Sequence, residues 1–219
     1  MTFDPRTEYQ DQETAEEYDK RRFSSLSGRL FQWCEKRVLR GVLRTLAPGS
    51  LLLDAPCGTG RLLPLYLSSG FRVLGVDISQ EMIQVARQRT VNWKGRAAFS
   101  RMDFTNVSLP DASVDTVFSI RFLPHFPPSE RVQMLREFSR IARQYVVISL
   151  SLSNYWMRAR RRIKNWLGHD RPVRNPVTIL ALQQELKAAG LHEIKRFWTV
   201  PIFSEQIILV CEKDEPRGG

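Results

Sequence analysis

The stretch LLLDAPCGTGRLL, residues 51 to 63, drives a short apolar run into a carboxylate and then into a pair of glycines. An apolar run of this length bounded by turn residues reads as a buried strand. Gly58 and Gly60 directly after it supply the backbone freedom that a tight turn into a helix requires. Strand, glycine turn and helix in that order make the opening unit of an α/β domain.

The rest of the chain keeps the alternation. Before the strand, Leu30, Phe31, Trp33, Cys34, Val38, Val42, Leu43 and Leu46 fall at helical spacing within 26–46, and Pro48 and Gly49 stop that helix. Strands are expected at 51–55, 72–78, 97–103, 114–120 and 145–152, with helices at 60–69, 79–90 and 128–143 between them. YVVISLSL (145–152) is apolar without interruption, as in a parallel strand buried on both faces. Thr178 caps a further helix that stops at Gly190. Two last strands, near 194–200 and 205–213, are joined by a few residues around Pro201, which permits only antiparallel pairing. The expected fold is a Rossmann-like three-layer α/β sandwich, a seven-stranded mostly parallel sheet with an antiparallel last strand. Its expected organisation is a helical cap over 1–48, a ligand-binding domain over 49–213 with a basic insertion at about 153–177, and a disordered tail over 214–219.

Composition narrows the class. The 219 residues hold three cysteines, Cys34, Cys57 and Cys211, too few and too scattered for a disulfide framework or a paired metal site. No apolar signal core stands at the N-terminus and no run is long enough to cross a bilayer, so the expected location is cytoplasmic. The formal charge of +10 invites an anionic partner. Residues 155–175 hold seven Arg or Lys against one Asp, so most of that excess sits in one segment. There Trp156, Ala159, Ile163, Trp166 and Leu167 fall on one helical face, with Arg158, Arg161, Arg162 and Lys164 largely on the other. The pattern suits a substrate cover, and also a membrane-surface or partner-binding element, peripheral at the inner membrane face.

Three acids surround the glycine turn. Asp54 ends the first strand, Asp77 the second and Asp103 the third. Asp77 stands where a carboxylate accepts the hydroxyls of a ribose, and Asp103 where the edge of an adenine would lie. A dinucleotide fold needs a third glycine under its pyrophosphate, and here that slot is Leu63. Asp54 would repel a phosphate and attract an ammonium group. S-Adenosylmethionine, with an amine, a ribose, an adenine and no phosphate, fits best.

On these residues the chain resembles the class I S-adenosylmethionine-dependent methyltransferases, near the small-molecule branch that includes quinone-biosynthesis enzymes. LLLDAPCGTG resembles that family's first motif, VLGVDIS its second, RMD its third-strand acid and VDTVFSIRFLPHF its fourth. The resemblance implies Asp54, Ala55, Gly58 and Gly60 around the methionine moiety, Asp77 on the ribose, and Ile78 and Met82 beside the adenine. It also implies Asp103 at the adenine amino group with Phe104 beside it, and Arg121 close to the sulfonium. Pro56 departs from the pattern, standing where the family has its first motif glycine. Cys57, inside the cofactor turn, reads as a packing residue.

Methyl transfer needs acceptor, methyl and sulfur held in line. His125, in RFLPHF, is the candidate base. Arg61 and Arg29 are the candidate cations for the cofactor carboxylate, Arg29 by folding of the N-terminal helix over the site with Tyr18. No metal is expected. The reading is methyl transfer to a small or lipid-like acceptor, most simply at oxygen. The alternatives are tRNA or rRNA methylation, carbon methylation of a quinone ring, and a non-catalytic S-adenosylmethionine-binding scaffold.

Overall fold

The computed structural model describes residues 25–104, 106–152, 175–200 and 205–214. Seven strands form one sheet: β1 (Leu51–Asp54), β2 (Arg72–Asp77), β3 (Ala97–Arg101), β4 (Val114–Ser119), β5 (Ala142–Ser151), β6 (Leu191–Trp198) and β7 (Gln206–Lys213). Their order is β3-β2-β1-β4-β5-β7-β6. The first five pair in parallel, and β7 runs antiparallel between β5 and β6. The chain moves outward from β1 to β3, then crosses back to β4. That reversal opens a crevice at the carboxyl ends of β1 and β4, where α/β sheets hold ligands.

Helices cover both faces, which is why the central strands are buried throughout. On one face lie α1 (Leu26–Leu43), α2 (Leu63–Ser68) and α3 (Gln80–Arg89), packing Leu39, Val42, Tyr66, Ile83 and Ala86 over Leu52, Phe118 and Val147. On the other lie α4 (Pro128–Ile141) and α5 (Ile179–Ala188), packing Met134, Phe138, Leu182 and Leu186 over Leu53, Val117 and Ile148. Alternation along each strand therefore feeds two cores.

Several boundaries differ from the sequence expectation, each for a local reason. Helix α2 starts at Leu63 instead of residue 60, because Gly58 and Gly60 hold φ of +52° and +73° and keep 58–60 in the turn. Strand β5 begins at Ala142, directly from α4 without a loop. Strand β6 begins at Leu191, straight after the left-handed Gly190. In α1, Leu30 and Trp33 face outward, because Glu35, Leu39, Val42 and Leu43 fill its inner side. The side-chain caps expected of Ser79 and Thr178 are present, accepting from the Met82 and Ala181 amides. Tyr18, the first half of the cap, nearly all of the basic insertion and most of the tail lie outside the described residues.

Candidate active site

The turn after β1 is stitched to both neighbouring strands. The Ala55 amide donates to the Phe118 carbonyl at 2.9 Å, and the Cys57 amide to the Val76 carbonyl at 2.8 Å. The Ala55–Pro56 peptide is cis. Cys57 is buried in the core among the α2 and α3 contacts, as its packing role required. The two glycines do different work. A Cβ on Gly60 would fall 2.8 Å from Cβ of Ala86 in α3, so Gly60 lets the turn press against that helix. A Cβ on Gly58 would meet nothing within 4 Å, which leaves open space at the turn.

Two of the acids, Asp54 and Asp77, adjoin this turn. Asp77 accepts from the Gly58 amide at 2.8 Å with one oxygen and from the Ser79 amide at 3.0 Å with the other. Burial pushes its carboxyl up to about 6, against the pull of those amides. Asp54 is 2% exposed. Burial pushes it up to about 8; the Arg61 charge opposes that rise and the Asp77 charge adds to it. Beyond Asp77, Ile78 is half-buried and Met82 buried. Asp103 is exposed at the rim, while Phe104 is buried edge-on to Phe122 with ring centroids 4.9 Å apart.

A buried acid on α1, unseen in the sequence, ties the site together. Glu35 is fully buried and accepts from Arg61 at 2.7 Å and from Gln206 of β7 at 3.1 Å, and it pairs with Arg121 at 2.9 Å. Despite its burial, the two guanidinium groups hold its carboxyl below the usual range. Arg121 thus turns toward α1, with its guanidinium 4.5 Å from the Phe31 ring centroid. Its φ is +65°, rare outside glycine, and its amide donates to the Ser149 hydroxyl at 2.6 Å. A left-handed arginine right after a central strand is the kind of outlier that marks a working site. Tyr66 of α2 is fully buried, and its hydroxyl has no hydrogen-bond partner among the described residues. Burial, and then the nearby Asp54 charge, raise that phenol well above its ordinary value. Arg29 lies exposed on the outer side of α1.

His125 closes a short 3-10 turn, Leu123–His125, that follows β4, and is half-buried. The turn is anchored from below. Arg131 of α4 donates to the Phe126 carbonyl at 2.8 Å and forks onto Glu185 of α5 at 2.9 and 2.5 Å, both side chains being buried. The Asn175 amide also reaches the Pro124 carbonyl at 2.9 Å. Sequence periodicity misses Glu35, Arg131 and Glu185 because each sits on an inward helical face where charge is normally excluded.

Residues 52–144 match the family model described as a methyltransferase domain. Among curated proteins, the chain is 27% identical over 175 residues to 2-methyl-6-phytyl-1,4-hydroquinone methyltransferase of Synechocystis, covering 74% of this chain and 53% of that one. It is 28% identical over 107 residues to the magnesium-protoporphyrin O-methyltransferase of Synechocystis, covering 48% and 45%. The chain thus spans about half the length of these relatives. The solved structure of Synechocystis magnesium protoporphyrin IX methyltransferase with bound S-adenosylmethionine superposes with a TM-score of 0.71 at 20% identity, over 97% of this chain and 98% of that one. That likeness shows the fold. The family match runs from β1 into β5, the part of the sheet that bears the glycine turn and its acids, and over that stretch the chain is similar to methyltransferase domains.

Proposed function

We propose that this protein transfers the methyl group of S-adenosylmethionine to an oxygen of a small or lipid-like acceptor. The observation that carries the reading is Asp54, a carboxyl 2% exposed and raised by burial to about 8, beside an open glycine turn at the sheet's carboxyl edge. A buried acid of that kind regains its charge when a cation arrives. The amine of S-adenosylmethionine is such a cation, and the Asp77 carboxylate a step away keeps lone pairs free for a ribose hydroxyl. The residues present therefore fit the cofactor. The names of the relatives, a hydroquinone and a porphyrin methyltransferase, support a small acceptor.

When bound, S-adenosylmethionine supplies an electrophilic methyl group on sulfur. The chain's own part is to bind, orient and exclude water. Gly58 admits the ligand to the backbone, Asp54 takes the amine, and Ile78 and Met82 offer an apolar shelf to the adenine, with Asp103 at its rim. Arg61, held by Glu35, keeps positive charge beside the turn for the cofactor carboxylate. An acceptor hydroxyl must lose its proton, and His125 on its anchored turn accepts it.

Calorimetry with S-adenosylmethionine, S-adenosylhomocysteine and NAD tests the cofactor: the two sulfur compounds should bind, and selective NAD binding would overturn the reading. Radiolabelled methyl transfer into fractionated metabolite, lipid and RNA pools tests the acceptor. Label in the metabolite or lipid pool is the expected result, and label in RNA would replace this acceptor class. His125→Ala should lower turnover by about tenfold or more with cofactor affinity unchanged.

A further inference from the structure

Leu26, Leu30 and Trp33 stand four and three residues apart on α1, so they share one helical face. They are 83%, 59% and 54% exposed. Arg29, Arg37 and Arg40 are exposed as well and fall within the same arc of about 100°. The sole acid of α1, Glu35, is buried on the opposite side. An ordinary surface helix turns its apolar row inward. Here the inner side is already filled by Leu39, Val42 and Leu43, and a second apolar row remains outside, set among cations.

The charge pattern selects among occupants. A second copy of the chain would bring the three arginines against themselves. A single-stranded nucleic acid would stack on Trp33, but the Arg37 guanidinium already stands over that ring at 5.6 Å, and Leu26 and Leu30 contribute nothing to such a contact. Aliphatic side chains and a tryptophan flanked by arginines with long apolar stems match the boundary between acyl chains and anionic headgroups.

We propose that α1 seats the protein on an anionic lipid surface through this face. The inner side of the same helix carries Glu35 and its pairs to Arg61 and Arg121, so the lipid contact lies one helix away from the methyl-transfer site. The proposal goes beyond the methyl-transfer reading and does not depend on it.

Flotation of the full chain with vesicles of phosphatidylcholine, alone or mixed with phosphatidylglycerol, tests the seat. Binding is expected to the mixed vesicles only and should weaken as salt is raised. The double variant Leu30→Ser/Trp33→Ser should weaken partition by roughly tenfold or more. Arg37→Gln/Arg40→Gln should weaken it by about fivefold for each charge removed. Thermal melts identify any variant that has lost its fold, and the charge pair leaves the apolar row intact as an independent check. Absence of binding to mixed vesicles overturns the proposal. So does binding kept in full by both folded variants, which would place the contact elsewhere, such as in 155–175. Salt-sensitive RNA retention lost in the same variants, without vesicle binding, would assign the face to nucleic acid instead.

Discussion

Asp54 and Asp77 occupy neighbouring strand ends, and burial raises both carboxyl groups, to about 8 and about 6, in the ligand-free protein. A raised acid binds its proton more tightly folded than unfolded, so its contribution to stability is complete at low pH. It is lost as pH climbs through the folded values. The ligand-free melting temperature should therefore fall between about pH 4 and pH 8, and Asp54→Asn should flatten the upper part of that fall. S-Adenosylmethionine should bind with release of a proton near neutrality, measured by calorimetry in buffers of differing ionisation heat. In Asp54→Asn that release should vanish and affinity should drop by about tenfold or more. The glycine pair separates stability from binding. Gly60→Ala should cost about 3 kcal/mol, because its Cβ would strike Ala86 and its φ is left-handed. Gly58→Ala should cost about 1 kcal/mol in denaturant titration and, on the proposed reading, show its main effect as weakened cofactor binding, because its Cβ would enter the open space at the turn. At this scale the sequence marked both glycines and all three acids, since their types and spacing carry the chemistry. It could not separate Gly58 from Gly60, because only the position of α3 does so.

Among elements, three ion pairs on two buried glutamates join parts that are distant in sequence. Arg131 and Glu185 lock α4 to α5 and fix the Phe126 carbonyl under the His125 turn. Removing one partner leaves an uncompensated buried charge, so Glu185→Leu should destabilise by about 3–5 kcal/mol. Arg131→Met/Glu185→Leu should destabilise less than Glu185→Leu alone, as read from denaturant midpoints. If the double variant also lowers turnover, the pair positions the turn as well as the fold. The Glu35 cluster does for α1 what this pair does for α5, tying a covering helix to the site's edge through Arg61 and Arg121. Helix and strand types were legible from periodicity and from caps such as Ser79, whereas the α1 face was not. Its pattern holds two apolar rows, and the choice between them is made by what the helix packs against.

On the scale of the molecule, the sheet is closed by its C-terminal strand. Ile207 to Cys211 of β7 are all buried, and β7 pairs with β5 from Ser151–Gln206 to Tyr145–Glu212. Gln206 also reaches Glu35, so the last strand touches the α1–site network. A chain ending after Gly190 should lose cooperative thermal unfolding, monitored by circular dichroism, because β5 would present an unpaired apolar edge. A sharp two-state melt in that variant would show that β6 and β7 are dispensable. The amino-acid sequence by itself determined the alternation of strands and helices, the glycine turn and the acids at the strand ends, because these follow from local periodicity, turn geometry and residue chemistry. Tertiary structure alone decided that Glu35 is buried between Arg61 and Arg121, that Arg121 adopts a left-handed backbone, that Asp54 is buried to 2% exposure, and that Leu30 and Trp33 face out. Each of these depends on which groups meet across long sequence separations, and burial and charge pairing are properties of that meeting.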